Sequence, residues 1–252
     1  MSGRVEAVLY EDFDRLEDTH WWFSGRRAVV REVLLRKLPR RSGLDVLDVG
    51  CGTGGMLVML RELGSVSGID TSEAALRHAR ERLGPAVPLS VGALPDGLPA
   101  GRTYDLVTAF DVIEHIPDAP AALRAIRGAL RPGGALACTV PAYQFLWSRH
   151  DDLNHHQRRY TRALLARHLE EGGFRMAWSS YFNTLLFPPI AAVRLARKLV
   201  PERGEVAASD LKETPGPLNK VLEALFSAER LVVPRAPLPF GVSLIALAYP
   251  AG

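Results

Sequence analysis

A glycine-rich turn after a short apolar run is the feature that most constrains how this chain can fold. Residues 44–49 have the composition of a buried strand, and glycines follow at positions 50, 52, 54 and 55. Glycine lets the backbone turn sharply and approach a ligand where a Cβ atom would collide. A second apolar run ends in Asp70, at the offset where a parallel α/β sheet presents a carboxylate to the two hydroxyl groups of a ribose. The turn therefore predicts a site for a nucleoside cofactor.

Asp48 separates two classes of cofactor that fit this turn. The spacing of Gly50, Gly52 and Gly55 also satisfies the fingerprint of nicotinamide dinucleotide sites, and Asp70 has the matching offset. A dinucleotide site, however, usually keeps an apolar residue at the position of Asp48, which leaves room for pyrophosphate. A carboxylate there repels phosphate and attracts an ammonium group. We therefore expect S-adenosylmethionine, which has an amino acid end and no phosphate, rather than NAD.

Two segments further along the chain carry a family resemblance. Residues 104–115 look like the fourth strand and following turn of the class I S-adenosylmethionine-dependent methyltransferases, and residues 130–134 look like the turn before their fifth strand. These motifs follow the glycine turn in the family's order, so the chain resembles this family over roughly residues 40–182. The resemblance implies an α/β fold with a Rossmann-like seven-stranded sheet, mostly parallel, whose last strand is antiparallel.

Alternating strand and helix patterns along the chain fit that fold. The predicted strands are 44–49, 65–70, 87–92, 104–110, 134–140 and 174–181, followed by a final run at 240–249. The predicted helices of the core are 55–63, 72–83, 119–130 and 161–171. We expect a single domain over residues 1–252, made of an N-terminal helical lid, a cofactor-binding core, an inserted helical cap and a last strand, at 1–38, 39–182, 183–237 and 238–252.

The lid and the cap have helical patterns of their own. Apolar spacing over residues 4–38 predicts two helices, broken near Ser24 and Gly25. In the cap, residues 189–200 predict a basic amphipathic helix. The rest of the cap reads as a polar loop and a second amphipathic helix, at 201–217 and 218–232. The basic helix fits either a lid that docks on the core or a surface that rests on anionic lipid, and its short apolar stripe favours the lid.

Composition excludes several other classes of protein. At 252 residues and 47% hydrophobic content, the chain can bury one sizeable core. Its net charge is only +3 and its basic residues are scattered, which argues against a nucleic acid partner. Cys51 and Cys138 fall in the glycine turn and in a predicted buried strand, so we expect no disulfide. Without a signal peptide or a long apolar stretch, the sequence predicts a cytoplasmic monomer or homodimer with no transmembrane span.

The resemblance assigns cofactor contacts to individual residues. In the family, the glycines of the turn lie behind the methionine part of the cofactor, here Gly50, Gly52 and Gly54. The acid after the second strand holds the ribose hydroxyls, here Asp70, while Asp48 orients the turn. The remaining predicted contacts are Thr71, Ala93, Leu94, Phe110, Asp111, Trp22 and Arg26.

Three of these contacts leave alternatives open. Relatives commonly have a polar side chain for the adenine amino group where this chain has Ala93, so backbone groups or Asp96 must serve instead. Trp22 and Arg26 belong to a segment that relatives fold over the cofactor, with the Arg near the methionine carboxylate. Adjacent aromatic residues are often part of the core, so Trp22 fits both positions.

Asp111, Glu114 and His115 have the spacing of one helical face directly after the fourth strand. Some relatives with a similar turn, together with a later His, hold Mg²⁺ against a diol or catechol oxygen. In others the Glu packs and caps without a metal. We expect no metal here, and His115 is a catalytic candidate.

The segment 147–161 is the densest polar cluster in the chain and should border the substrate. It matches a pattern of bacterial relatives that includes Asp151 and His156. A neutral imidazole can take the proton that a hydroxyl or amine loses as the methyl group arrives. The alternative is that His156 anchors the loop through hydrogen bonds to Asp151 and the backbone.

The sequence as a whole predicts methyl transfer from S-adenosylmethionine to an oxygen, nitrogen or activated carbon. The large, partly apolar cap favours a small or medium-sized hydrophobic metabolite as the substrate. Two other functions fit part of the pattern. One is a non-catalytic module that binds the cofactor and acts with a partner protein, and the other is an NAD-dependent oxidoreductase.

Overall fold

The computed structural model describes residues 15–199 and 214–252. Its strands are β1 Leu44–Val49, β2 Gly64–Asp70, β3 Leu89–Val91, β4 Tyr104–Phe110, β5 Leu130–Pro141, β6 Phe174–Phe182 and β7 Ser243–Pro250. The named α-helices are α1 Trp21–Lys37, α2 Gly55–Leu60, α3 Glu73–Leu83, α4 Ala119–Gly128, α5 Arg149–Leu153, α6 Arg162–Glu171, α7 Phe187–Leu199 and α8 Gly216–Ala228. Short 3-10 helices span Ile113–His115, Gln144–Leu146 and Glu229–Leu231.

The seven strands form one sheet in the order β3, β2, β1, β4, β5, β7, β6. β1 is parallel to β2 and β4, β2 is parallel to β3, and β4 is parallel to β5. β7 runs antiparallel to both of its neighbours, β5 and β6. The predicted Rossmann-like sheet with an antiparallel last strand is therefore confirmed. Since β1, β2 and β4 are parallel, their carboxyl ends bring the glycine turn, Asp70 and Asp111 to one edge of the sheet.

Helices cover both faces of the sheet, so its central strands are buried on both sides. Successive residues of β1 serve opposite faces, with Val46 in one apolar cluster and Leu47 in the other. One cluster includes α1, α2, α3 and α8, through residues such as Val33, Leu57, Leu76 and Phe226. The other includes α4 and α6, through Leu123, Ile126, Leu165 and Leu169. Burial on both faces explains why the central strands read as nearly continuous apolar runs.

The predicted helix break near Ser24 and Gly25 is wrong. α1 passes through both residues without interruption. A Cβ atom at Gly25 would lie 2.4 Å from Cδ1 of Phe226, which packs against it from α8. Glycine at this position therefore serves the close approach of α8 rather than a break in α1. The partner lies about two hundred positions along the chain, so no local pattern indicates this contact.

The predicted turn at 130–134 is instead an irregularity inside β5. Tyr104 pairs with Leu130, whereas Leu106, only two positions further along β4, pairs with Ala135. The residues between Leu130 and Ala135 therefore form extra backbone within the strand. As a result, β5 begins four residues earlier than predicted and α4 ends two residues earlier.

Both predicted cap helices are present, as α7 and α8. Most of the predicted loop at 201–217 lies outside the described residues. In the described part of the chain, none of the helices combines the length and the hydrophobicity that crossing a bilayer requires. Cys51 and Cys138 are both buried and free, in agreement with the expectation of no disulfide.

Candidate active site

An open cavity of about 1350 Å³ lies at the carboxyl ends of β1, β2 and β4. Its walls come from the glycine turn, the residues that precede and begin α1, the turn after β4, the loop after α5, α7 and the start of β7. The predicted lid, core and cap thus all contribute. The predicted cofactor contacts that line the cavity are Asp48, Gly50, Gly52, Asp70, Thr71, Ala93, Leu94, Phe110, Asp111, Trp22 and Arg26.

The glycine turn follows a path that other residues rarely adopt. Gly50, Gly52 and Gly54 have φ angles of 70°, 55° and 90°. Gly50 and Gly52 line the cavity. Gly54 lies behind the wall, where a Cβ atom would meet Ala79 of α3 at 3.2 Å. Its φ angle and this close packing explain the glycine, while a direct contact with the cofactor stays a prediction.

Asp70 ends β2 with its carboxylate fixed in the cavity wall. One oxygen accepts a hydrogen bond from the Gly52 N–H at 2.8 Å, and the other accepts from the Ser72 N–H at 2.9 Å. The side chain is buried, with 7% of its surface exposed. An ionised carboxylate can accept about four hydrogen bonds, so this arrangement is compatible with acceptance from ribose hydroxyls as well.

Asp48 is a buried carboxyl group beside the glycine turn. Its Oδ1 accepts a hydrogen bond from the Thr108 hydroxyl at 2.6 Å. Burial raises the pKa of Asp48 to about 7, against the hydrogen bond from Thr108, which lowers it. Near neutral pH the group is therefore ready to change its protonation state when a charged ligand enters.

Arg26 and Asp111 connect α1 to the end of β4. The Arg26 guanidinium forms a salt bridge with the Asp111 carboxylate, whose second oxygen accepts from the Thr139 hydroxyl at 3.1 Å. Trp22 lines the cavity and also packs on Phe226 with ring centroids 5.6 Å apart. Trp22 is therefore both cavity wall and core. The contact of Arg26 with a methionine carboxylate stays a prediction.

Glu17 is a cavity residue that the sequence pattern does not indicate. Its carboxylate accepts hydrogen bonds from the Gly55 N–H at 3.1 Å and from the Thr53 hydroxyl. A Cβ atom at Gly55 would overlap this carboxylate, so the contact requires glycine. Glu17 thereby fastens the segment before α1 to the start of α2. It belongs to no local motif, since its partners lie 36 and 38 positions away.

The turn after β4 differs from the predicted helical face. Only Ile113–His115 is helical, as a single 3-10 turn. Asp111 precedes this turn with a φ of 56°, and its carboxylate forms a salt bridge with Arg26. All three residues nevertheless line the cavity, as expected. The expected α-helical turn is therefore a 3-10 turn that begins after Asp111.

The pKa values of Glu114 and His115 are both shifted in the direction that favours the neutral side chain. Glu114 is fully buried, and neither of its carboxylate oxygens has a hydrogen-bond partner among the described residues. Burial and the charge of Asp111 raise the pKa of Glu114 well above its usual range. Burial and the neighbouring His156 lower the pKa of His115 to about 4, so its imidazole is neutral at physiological pH.

His156 lines the cavity with its ring oriented by Asp151. His156 Nδ1 lies 2.8 Å from Asp151 Oδ1. Asp151 is fully buried and also accepts from Arg159 Nε at 2.7 Å and from the Ser148 N–H at 2.8 Å. Although burial raises it, the hydrogen bond from His156 and the charge of Arg159 hold the pKa of Asp151 well below its usual range. An ionised Asp151 requires Nδ1–H of His156 to donate, so the neutral form of the imidazole has its lone pair on Nε2.

The predicted catalytic residues therefore fall into two layers. His115 and His156 line the cavity, with their rings edge to face and their centroids 4.6 Å apart. Asp151 lies behind His156 and positions it. His156 is anchored by Asp151 and also lines the cavity. The geometry is therefore compatible with a role as proton acceptor and with a role as anchor of the loop.

A family model described as a methyltransferase domain matches residues 22–178. This span is more than half of the chain and includes the glycine turn, Asp70 and His156. The chain belongs to the methyltransferase family. The predicted membership of the class I S-adenosylmethionine-dependent methyltransferases is confirmed.

Individual methyltransferases show how far the similarity extends. The ubiquinone biosynthesis O-methyltransferase of Nitrosospira multiformis is 34% identical over 146 residues, covering 53% of this chain and 60% of that protein. The trans-aconitate 2-methyltransferase of Deinococcus radiodurans is 28% identical over 181 residues, covering 71% of this chain and 66% of that protein. A solved S-adenosylmethionine-dependent methyltransferase from Clostridium acetobutylicum has a TM-score of 0.52 at 14% identity, covering 82% of this chain and 84% of that chain. The structural likeness shows the shared fold.

The chain spans about three fifths of the length of the curated relatives it matches, at 57% and 60% for two ubiquinone biosynthesis O-methyltransferases.

Part of the cavity wall lies outside the residues that the family model matches. The match ends at residue 178, before α7 and β7. Ile190 and Arg194 of α7, Ser243 of β7 and the preceding Val242 nevertheless line the cavity.

Proposed function

We propose that this methyltransferase transfers the methyl group of S-adenosylmethionine to an oxygen, nitrogen or activated carbon of a small or medium-sized molecule. The observation that carries the proposal is one continuous cavity with two unlike parts. The first part, at β1 and β2, is lined by the glycine turn with Asp48 and Asp70. The second part is lined by His115, His156 and Arg194. A cofactor in the first part would face an acceptor in the second.

Methyl transfer depends mainly on how the protein positions the cofactor and the acceptor. The S–CH₃ bond breaks as the new bond to the acceptor forms in line with it, which releases S-adenosylhomocysteine, and the acceptor's proton must leave. Holding the two reactants in contact supplies most of the rate. His156 lines the cavity, Asp151 fixes its ring, and the neutral form of the imidazole has its lone pair on Nε2. It is therefore placed to assist the loss of the acceptor's proton, a contribution of ~10²–10⁴-fold.

We infer that the acceptor combines an apolar body with a polar group beside the reacting atom. Ile190, Val242 and Pro141 offer apolar contact in the acceptor part of the cavity. The imidazoles and Arg194 offer polar contact in the same part. Since α7 and the start of β7 lie outside the family match, acceptor selectivity should depend most on these elements.

Transfer of a labelled methyl group tests the proposal. The protein would be incubated with S-[methyl-³H]adenosylmethionine and a small-molecule extract of the cells it comes from. We expect label in the small-molecule fraction, together with an equal amount of S-adenosylhomocysteine. Tight binding of the cofactor with no transfer to any fraction would contradict the proposal and favour a non-catalytic module that acts with a partner protein.

Asp48 predicts a pH dependence of cofactor binding. With a pKa of about 7, Asp48 is largely neutral below that pH and ionised above it. A cationic ligand favours the carboxylate, so its binding releases a proton. The affinity for S-adenosylmethionine should therefore fall as the pH drops below about 7, by up to about tenfold per unit. Calorimetric titrations at pH 6, 7 and 8 measure this slope.

Asp48→Asn is the control for this slope, since the amide keeps the shape and does not titrate. The variant should bind more weakly at pH 8 and show a flatter pH dependence than the parent protein. An equal slope in both proteins would mean that another group controls the binding.

The contacts of α7 favour a lid over a membrane surface. Arg194 donates to the Leu146 carbonyl at 2.8 Å, and Lys198 Nζ donates to the Phe145 carbonyl at 2.8 Å. We expect that replacing Arg194, Arg197 and Lys198 together by alanine raises KM for the acceptor on the order of tenfold, because hydrogen bonds from charged donors hold the lid. Sedimentation with anionic liposomes is the second readout. Clear binding by the intact protein that this triple variant loses would overturn the lid in favour of a membrane-borne acceptor.

A further inference from the structure

A set of exposed apolar side chains lies on α8 and directly after it. Leu218, Val221 and Leu225 follow helical spacing, so they form one stripe along α8. Leu231, in the 3-10 turn Glu229–Leu231 that follows the helix, is also exposed. The exposed apolar residues therefore continue past the end of α8.

Two hydrogen-bonded contacts bring further apolar residues to this region. Glu229 Oε1 accepts from the Thr184 N–H at 2.6 Å and from the Leu185 N–H at 2.8 Å, which fastens Leu185 to the 3-10 turn. The Thr184 hydroxyl donates to the Phe240 carbonyl at 2.5 Å. The resulting set, here called the apolar surface, consists of Leu185, Leu218, Val221, Leu225, Leu231 and Phe240. These residues are 41–57% exposed.

α8 is apolar on both of its faces. On one face, Phe226 is fully buried against Gly25 of α1, and Leu222 packs on the same core. A helix that packs on a core through one face usually exposes polar side chains on the other. The stripe of Leu218, Val221 and Leu225 breaks that rule. Exposed apolar residues grouped in this way indicate an interaction site.

The charges around the apolar surface are predominantly positive. Among the described residues from 214 to 240, the exposed charged side chains are the cations Lys220, Arg230 and Arg235. Glu223 is half-buried, and Glu229 is buried with its carboxylate on backbone N–H groups. Residues 184–199 contain no acid. The partner that fits this surface therefore has an apolar interior and a negative rim.

We propose that the apolar surface binds the interface of an anionic membrane. At 13 residues, α8 is too short to cross a bilayer, so it would lie in the plane of the interface. The apolar side chains would enter the headgroup region, and the three exposed cations would meet lipid phosphates. Stable attachment generally needs two such signals together. A second copy of the chain fits less well, because a symmetric contact would bring the same cations together.

This membrane contact differs from the one that α7 could make. Arg194 and Lys198 of α7 donate to the carbonyls of Leu146 and Phe145, so α7 holds them against the core. The apolar surface nevertheless adjoins the acceptor part of the cavity along the chain. Leu185 lies two residues before α7, which lines that part. A membrane on the apolar surface would therefore lie beside the elements that form the acceptor part.

Co-sedimentation with vesicles tests the proposal without cofactor or acceptor. The protein would be mixed with vesicles of equimolar phosphatidylcholine and phosphatidylglycerol, or of phosphatidylcholine alone, and the bound fraction measured against lipid concentration. We expect binding to the anionic vesicles to be at least about tenfold tighter, because the cations contribute only on a negative surface. Added salt should narrow that difference.

Two sets of substitutions separate the apolar and the charged contributions. Replacing Leu218, Val221 and Leu225 together with glutamine should lower binding to anionic vesicles by at least about 100-fold, since glutamine suits a helix but removes the apolar contact. Replacing the three exposed cations together with glutamine should lower this binding by at least about tenfold and remove the preference for anionic vesicles.

Val58→Gln is the matched control for the apolar substitutions. Val58 is exposed to a comparable extent but lies on α2, so this variant should bind as the parent protein does. The variant with Arg194, Arg197 and Lys198 replaced by alanine should also bind to within about threefold of the parent protein, because the contact does not depend on α7. Melting curves would show that all variants remain folded.

Three results would overturn the membrane surface. The first is equal binding, or none, of the parent protein to the two kinds of vesicle. The second is binding that the glutamine variant of α8 keeps or that the α7 variant loses, since the contact would then lie elsewhere. The third is a dimer in lipid-free sedimentation velocity that dissociates in the glutamine variant of α8, because a second copy would then cover the surface. Methyl transfer enters none of these measurements, so each result leaves the proposed function intact.

Discussion

Replacing His156 with alanine should lower turnover by at least about 100-fold while leaving the affinity for S-adenosylmethionine within about twofold. His156 lies in the acceptor part of the cavity, and its Nδ1 is 2.8 Å from Oδ1 of Asp151, which fixes the ring. Asp48 and Asp70 lie in the cofactor part, so the substitution should not disturb them. Turnover with saturating cofactor measures the first effect, and calorimetric titration measures the second.

His78→Ala controls for the general loss of an imidazole. His78 lies on α3, outside the cavity walls, and its replacement should leave turnover unchanged. If His156→Ala turned over as fast as the parent protein, His156 would serve only to anchor its loop. A loss of cofactor affinity as large as the loss of turnover would also contradict the account, since it would place His156 in the cofactor part.

Replacing Asp70 with alanine should weaken S-adenosylmethionine binding by about 1.5–3 kcal/mol, which is roughly a 10–150-fold loss of affinity. The variant removes a charged acceptor for two ribose hydroxyls from a buried wall. It also removes the partner of the Gly52 and Ser72 N–H groups, which hold the turn in shape. Calorimetric titration gives the affinity directly.

Asp96→Ala is the matched control for this charge. Asp96 is exposed and lies outside the cavity walls, although the sequence left it as a candidate for the adenine amino group. We expect its replacement to leave cofactor affinity unchanged. Unchanged affinity in Asp70→Ala would remove Asp70 from the ribose site, and a loss in Asp96→Ala would restore that residue as an adenine contact.

The sequence predicts which residues meet at one edge of the sheet because these residues are local to strand ends. The glycine turn follows β1 directly and Asp70 ends β2, so a parallel sheet brings them together whatever the rest of the chain does. The same reasoning places Asp111 at the end of β4. The seven strands and the antiparallel β7 were expected from the family resemblance rather than from residue patterns.

Contacts between distant segments could not be predicted in this way. Gly25 reads as a helix breaker until the ring of Phe226 is seen against it. Glu17 reads as an ordinary surface acid until its carboxylate is seen on the start of α2. In both cases the deciding partner lies far along the chain, where neither periodicity nor motif spacing can indicate it.

The turn after β4 failed as a prediction for a different reason. Helical spacing groups Asp111 with Glu114 and His115, but that spacing assumes an α-helix that begins at Asp111. The helical turn is instead a 3-10 turn at Ile113–His115, and Asp111 precedes it with a positive φ and a salt bridge to Arg26. His156 reaches the same cavity from a loop whose position depends on tertiary structure.

One cavity should hold the cofactor over the glycine turn, with its reactive end facing the acceptor part. A crystal structure of the protein with S-adenosylhomocysteine would test this arrangement. We expect ribose hydroxyls within hydrogen-bond distance of Asp70 and the homocysteine sulfur facing His115 and His156. A ribose bound away from Asp70, or a sulfur turned away from the two imidazoles, would contradict it.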